Sequence, residues 1–252
     1  MKEMTEPILQ LQELGKSFGG LCVCDDLNLN LIPGELHALI GPNGAGKTTL
    51  LNLICGLLKA DNGSLRFMDQ TITEQSVQQR VQLGMARSFQ ITSLFQGFTV
   101  EENIQLAVQA IQGSSYRFWK RADNDPRLLK PSSELLTRMG LADRAEMKVS
   151  NLAHGEQRLL DIGMALATEP SLLLLDEPMA GLGPGSAQNL ARLIKDLKGG
   201  ITLLLVEHDM QTVFSLADRI TVLVEGRIAA TGTPQEIRNN PVVQEAYLGT
   251  SC

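Results

Sequence analysis

Three runs of almost unbroken apolar residues constrain this chain more than any other feature: Leu36–Ile40 (LHALI), Leu172–Leu175 (LLLL) and Ile201–Val206 (ITLLLV). A strand with one wet face alternates apolar and polar residues. Near-continuous runs therefore predict strands buried on both faces, as in a parallel sheet covered by helices. Helix-like periodicity fits around them, over Lys47–Leu58, Val100–Ile111, Ser132–Met139, Glu156–Ala167 and Ser186–Lys198.

The start of the chain has another rhythm. ILQLQELGKSFGGLCVCDDLNLNLIPGE alternates, as at Leu27, Leu29 and Leu31, and predicts antiparallel strands that turn at Gly19–Gly20. Ile220–Val224 and Arg227–Ala230, joined at Glu225–Gly226, predict a late hairpin, and Pro241–Tyr247 a short terminal helix. The polar stretch Gly113–Pro131 reads as a loop or linker. At 252 residues the chain can form one large α/β domain or two modest ones.

Charge narrows the function. The net charge is -6 and the basic residues are scattered, which argues against a nucleic-acid binder, since neutralising phosphates needs a concentrated Lys/Arg face. Cys22, Cys24, Cys55 and Cys252 form neither a Cys-x-x-Cys pair nor a zinc spacing. Reduced thiols packed as small apolar groups are expected. MKEMTEPILQ lacks the pattern of an export signal, and no apolar run is long enough to span a bilayer. A membrane role would require another chain to bring this one there.

GPNGAGKT, Gly41 to Thr48, follows an apolar strand and precedes a helical pattern. Glycines let successive backbone N–H groups converge on phosphate oxygens, and the following helix presents its positive end to the same anion. Lys47 would reach the β- and γ-phosphates, and the Thr48 hydroxyl would bind Mg²⁺. The alternative is a Gly-rich turn with a surface lysine. This motif implies a nucleoside triphosphate and leaves kinase, GTPase and motor open.

LLLLDEP ends a buried strand in two acids that must point to opposite faces. Asp176 suits Mg²⁺ coordination and Glu177 suits polarising an attacking water; the alternative is an acidic turn. In ITLLLVEHDM, His208 follows a third apolar strand. Most such histidines are structural, but strand carboxyl ends are where α/β nucleotide sites collect their chemistry.

Together these residues resemble the ATP-binding subunit of an ATP-binding-cassette (ABC) transporter, over essentially the whole chain. GPNGAGKTT resembles the Walker A loop, LLLLDEP the Walker B strand, VEHDM the switch-histidine region and RSFQ the Q-loop with Gln90. The resemblance implies a P-loop NTPase (RecA-like) α/β core with an N-terminal antiparallel β subdomain. It also implies an α-helical subdomain inserted at about 91–158, all within one ATP-binding domain spanning 1–252. Gly41, Asn43, Gly44, Gly46, Lys47, Thr48 and Thr49 would then cradle phosphate, and Phe18 would stack on adenine. Thr48, Gln90 and Asp176 would arrange Mg²⁺, with Glu177 directing water and His208 holding the γ-phosphate.

LAHGEQ stands where that family has its LSGGQ signature, which grips ATP held by a second subunit. The resemblance assigns this contact to Ala153, His154, Gly155 and Gln157. Ala153 replaces a serine, His154 a glycine, and Gly183 an aspartate that braces the dimer in many relatives. RSFQITSLFQGFTVEENI, HGEQRLLDIGMALA and TGTPQEIRNNPVVQEAYLG are similar to the ATPases of branched-chain amino-acid importers and their urea or short-amide relatives. An exporter ATPase remains open, as does a non-transport ABC ATPase.

The expected partners are a second ATP-binding subunit, permeases docking near Phe89–Asn103 and, through them, an extracytoplasmic solute-binding protein. Nucleic acid is not expected. Ile91, Leu94, Phe95 and Phe98 would line the docking groove, or simply fill the core. The implied location is cytoplasmic, on the inner face of the cell membrane.

Overall fold

The computed structural model describes residues 6–88, 94–111 and 126–248. The alternating N-terminal segment forms β1 (Leu9–Phe18) and β2 (Leu21–Leu31), paired antiparallel across the turn at Gly19–Gly20. β4 (Asn62–Phe67) and β5 (Gln70–Thr71) complete a four-stranded sheet in the order β2-β1-β4-β5.

The apolar runs become β3 (Leu36–Ile40), β7 (Leu172–Asp176) and β8 (Thr202–Val206). With β6 (Met85–Ser88), β9 (Arg219–Val224) and β10 (Arg227–Gly232) they build a second sheet, ordered β10-β9-β3-β8-β7-β6. All neighbours in it are parallel except the β9–β10 hairpin.

Their uninterrupted hydrophobicity has a direct cause. Successive side chains leave opposite faces of a strand. Leu173, Leu175, Leu203 and Leu205 enter one core, against Leu160, Leu190 and Ile194. Leu172, Leu174, Leu204 and Val206 enter another, shared with Leu9, Leu11, Leu27 and Phe67 of the antiparallel sheet. Between the sheets lies α1 (Lys47–Cys55), whose Leu50, Leu51, Leu53 and Ile54 all join this second core.

The other helices are α2 (Val77–Gln82), α3 (Val100–Ile111), α4 (Pro126–Arg138), α5 (His154–Leu166), α6 (Pro184–Leu197), α7 (Met210–Leu216), α8 (Pro234–Arg238) and α9 (Pro241–Leu248). α3 packs against α4 and α5. Where α5 crosses its neighbours, a Cβ at Gly163 would stand 2.3 Å from Met139 Sδ, so any other residue there would have to displace the Met139 side chain.

Two expectations need correction, and one segment had none. The first helix stops at Cys55, before Leu58, because Gly56 turns left-handed at φ 81° and ends it. The stretch 126–131, read as loop, is already helix, with Pro131 inside it. Leu128, Ser132 and Leu136 fall at i, i+4 and i+8 on its buried face, a stripe that extends the periodicity upstream of Pro131. The rest of that loop, 112–125, lies outside the described residues. Finally, the segment from β4 to β6 was not anticipated at all; its strands are short, and Leu65 and Phe67 are the buried residues of β4.

Cys22, Cys24 and Cys55 are free thiols, the first exposed and the others buried; Cys252 lies outside the described residues. Among the described residues no helix is long and apolar enough to cross a membrane.

Candidate functional site

The site grows from the carboxyl ends of β3, β7 and β8, adjacent strands of the parallel sheet. At the first of these ends, Gly41–Thr48 wraps a cavity of about 280 Å³ lined by Val23, Asn43 to Thr49 and Glu177. Main-chain crowding dictates two of its glycines. A Cβ at Gly41 would stand 2.1 Å from Leu223 O, and one at Gly46, where φ is 103°, would stand 2.6 Å from Val23 O. Asn43, Gly44 and Thr48 are exposed at the mouth.

Lys47 opens α1 and folds back over the loop, its Nζ donating to Gly41 O at 2.7 Å and Pro42 O at 3.0 Å. Burial pushes its ammonium below the usual lysine value, while the Glu177 and Asp176 carboxylates oppose that shift. A cation partly stripped of water and already facing oxygens is well prepared to exchange carbonyls for phosphate. Phe18 sits half exposed at the tip of the β1–β2 hairpin, with Lys16 Nζ 5.6 Å from its ring centre.

At the end of β7, Asp176 is buried and held by two guanidiniums that sequence reading missed. Arg87 Nη2 donates to its Oδ2 at 2.7 Å while Arg87 Nη1 reaches Asn52 Oδ1 at 2.6 Å. Arg158 Nη2 donates to Asp176 O at 2.8 Å. The chain then bends sharply: Glu177 takes φ 44°, a left-handed conformation that costs a non-glycine residue about 1–3 kcal/mol. Its N–H donates to Val206 O at 2.9 Å, and its side chain turns towards the phosphate-loop cavity.

At the end of β8, the His208 side chain is 61% exposed, free to meet something arriving from solution. Before it stands Glu207, fully buried and likewise missed, although VEHDM contains it. Asp209 caps α7, accepting from the N–H groups of Gln211 and Thr212. Gln90 and Ile91 lie outside the described residues. Nearby, Leu94 is buried, whereas Phe95 and Phe98 are exposed and stack on each other with ring centres 5.5 Å apart. Asn103 braces that turn by accepting from Phe95 N and donating to Phe95 O.

The residues of LAHGEQ are not part of this cavity. Gly155 lines a different one, between α4, α5 and α6, with Glu156 and Ser186. Ala153 and His154 are exposed at the entrance of α5, beside the turn at Gly181. Gln157 is half-buried, and its Nε2 donates to Val149 O and Leu152 O, bracing its own loop. Glu156, passed over in the sequence, receives the Ala153 N–H at 3.0 Å and Arg144 Nε at 3.2 Å.

The chain has relatives among known proteins. A family model described as ABC transporter matches residues 24–180, and one described as branched-chain amino acid ATP-binding cassette transporter matches residues 227–251. The chain is 41% identical over 256 residues to the high-affinity branched-chain amino acid transport ATP-binding protein LivG of Escherichia coli (strain K12), covering 98% of this chain and 99% of that protein. It is 32% identical over 243 residues to the lipopolysaccharide export system ATP-binding protein LptB of Acidithiobacillus ferridurans, covering 96% and 97%. The crystal structure of the ADP conformation of MJ1267, an ATP-binding cassette of an ABC transporter, superposes with a TM-score of 0.85 at 30% identity, covering 97% of this chain and 100% of that one.

Proposed function

Because the chain belongs to the ATP-binding proteins of ABC transporters, whose members bind nucleotide and hydrolyse ATP, we propose that it energises the uptake of branched-chain amino acids. The observation that carries the solute class is the end-to-end identity to LivG, together with the match of residues 227–251 to the branched-chain family. The chain itself does not touch the solute. We assign it to the cytoplasmic face of the cell membrane, held there by permeases that dock near Phe89–Asn103, where Phe95 and Phe98 form an exposed stacked pair. An extracytoplasmic solute-binding protein would deliver cargo to those permeases. Within a single domain, α3, α4 and the start of α5 would form the inserted helical part.

ATP would enter with Phe18 against adenine and the phosphates in the loop from Gly41 to Thr49. Lys47 would leave its two carbonyl partners for the β- and γ-phosphate oxygens. The residues fit Mg²⁺: the Thr48 hydroxyl and Asp176 carboxylate are a sparse oxygen set, suited to a hard cation that arrives with phosphate ligands and waters. That ion would neutralise charge on the transferring phosphoryl group. Gln90 belongs to the same assignment. Glu177 would take the proton of the attacking water, and His208 would hold the γ-phosphate. Positioning and electrostatics account for most of the rate in such reactions.

Since Ala153, His154 and Gly155 line no part of the phosphate cavity of their own chain, the far side of each ATP would be closed by those residues of a second subunit, identical or paralogous. Gln157, assigned to the same contact, also braces that loop from within.

Two measurements test this. Glu177→Gln should keep ATP binding, accumulate an ATP-bound dimer and hydrolyse about 10²–10⁴-fold more slowly; turnover at the parent rate removes Glu177 as base. In liposomes with its permeases, the chain should hydrolyse ATP faster when the solute-binding protein carries leucine. Stimulation by urea or a short amide instead would move the cargo to those solutes. Stimulation by a lipopolysaccharide substrate would favour the export reading that the LptB similarity keeps open.

A further inference from the structure

Glu207 has no part in the mechanism above, yet it joins two loops that do. Its carboxyl is wholly buried at the end of β8. Oε1 accepts the N–H of Met179, two residues past Glu177, at 2.9 Å. Oε2 accepts the N–H of His208 at 3.2 Å and lies 3.8 Å from His208 Nδ1. The loops so linked leave neighbouring strands, where Asp176 pairs with Val206.

An acid is an unfavourable choice for packing alone. Burial pushes the Glu207 carboxyl above the usual glutamate value; the two N–H groups and His208 pull it down, and the Glu177 carboxylate pushes it up. Arg158 also acts on it electrostatically. A neutral side chain would fill this space without desolvating a carboxyl. What only a carboxylate brings is a pair of acceptor oxygens on one rigid fork, one for each loop.

We propose that Glu207 is a positioning residue: it clamps the backbone after Glu177 to the backbone of His208, so that the water-directing carboxylate and the imidazole keep one relative geometry. This rests on the roles given above to Glu177 and His208. Glu207→Gln preserves shape but has a single acceptor oxygen, so one of the two N–H groups loses its partner. Glu207→Asp keeps both acceptors on a shorter arm.

The test uses the full chain and follows ATP affinity by calorimetry, steady-state hydrolysis and thermal melting. Glu207→Gln should lower kcat about 10- to 100-fold, with KM and the ATP dissociation constant within about threefold of the parent. Glu207→Asp should recover part of kcat. Because a positioning residue acts through the group it positions, Glu207→Gln combined with His208→Ala should be no slower than His208→Ala alone. The proposal is overturned if Glu207→Gln turns over at the parent rate, if its loss multiplies with that of His208→Ala, or if ATP affinity falls in step with kcat. Should Glu207→Gln melt below the assay temperature, the same cycle is read with Glu207→Asp. Parent-rate hydrolysis in His208→Ala and Glu177→Gln would instead remove the underlying roles, and with them this clamp.

Discussion

Two helix entrances that lack a side-chain cap, those of α1 and α5, are built differently. Gly46 is the N-cap of α1 and Ala153 that of α5, and neither gives a side-chain cap to the first N–H groups. Unpaired N–H groups at a helix start attract phosphate. At α1 the chain's own main chain dictates the shape, since Gly41 and Gly46 face backbone carbonyls of β9 and β2 that cannot move aside. At α5 the neighbours are side chains, and Ala153 and His154 face solvent. Two of the three departures from the pattern that the resemblance implies, Ala153 and His154, fall at the second entrance, and the third, Gly183, is the N-cap of α6. An entrance fixed by backbone tolerates no substitution, whereas one bordered by side chains can exchange residues as long as those side chains give way.

The largest consequence concerns glycine. Gly41→Ala forces a Cβ to 2.1 Å from Leu223 O, so the strand or the loop must move. Nucleotide binding should be lost, and stability should fall by about 3 kcal/mol or more, as for other substitutions that strain a tightly determined site. Gly155→Ala meets Ser186 Oγ at 2.4 Å and Ser186 Cβ at 2.7 Å; rotation clears the hydroxyl, and the start of α6 must shift to clear the Cβ. That variant should stay folded and keep ATP binding by its own chain, and adding Ser186→Gly, which removes both clashing atoms, should relieve most of its defect. Equal damage from Gly41→Ala and Gly155→Ala in calorimetry and melting would erase the distinction between the entrances.

A middle-sized effect runs in the opposite direction. Ala153 already has the extended backbone of an N-cap, and Glu156 at the third helical position already receives its N–H. Ala153→Ser would add the missing reciprocal bond, from Glu156 N–H to the serine hydroxyl. The gain should be about 1 kcal/mol, seen as a melting temperature raised by about 2–4 °C. ATP-driven dimerisation measured by sedimentation should strengthen with it. An unchanged melt would mean that the N–H groups of α5 are already satisfied.

The same contrast explains what could be read in advance. Leu36–Ile40, Gly41–Thr48, Leu172–Asp176 and His208 were legible because each obeys a local rule: two-faced burial, a phosphate loop, a strand-end acid or histidine. The antiparallel start was equally plain from its alternation. Arg87 and Arg158 were not legible, because their partner Asp176 is 89 and 18 residues away and no spacing connects them. Glu207 was hidden for another reason: local pattern places an acid beside a histidine, but not whether it is buried. Of the missed elements, α2 carried a usable signal. Ser76 and Gln79 form a capping box, with Ser76 N donating to Gln79 Oε1 at 2.8 Å. Arg80 then buries its guanidinium against Leu53 O and Ile54 O at the end of α1, a closure that only the folded chain reveals.

The smallest effect separates the two entrances by charge rather than by shape. On the phosphate-loop side the pair of Arg87 and Asp176 is nearly enclosed, with side chains 8% and 4% exposed. On the α5 side the pair of Arg144 and Glu156 is open, at 47% and 30%. Exposed pairs are screened by water and contribute about 0–1 kcal/mol, while removing one partner of an enclosed pair costs about 3–5 kcal/mol. Arg144→Ala should therefore shift the melting temperature by about 2 °C or less, and the shift should shrink further in about 1 M salt, where the screening length falls to about 3 Å. Glu156 can still accept the Ala153 N–H in that variant, so the helix entrance itself should persist. A salt-insensitive loss as large as that of Arg87→Ala would mean that the α5 entrance is held by its own ion pair rather than left open for a partner.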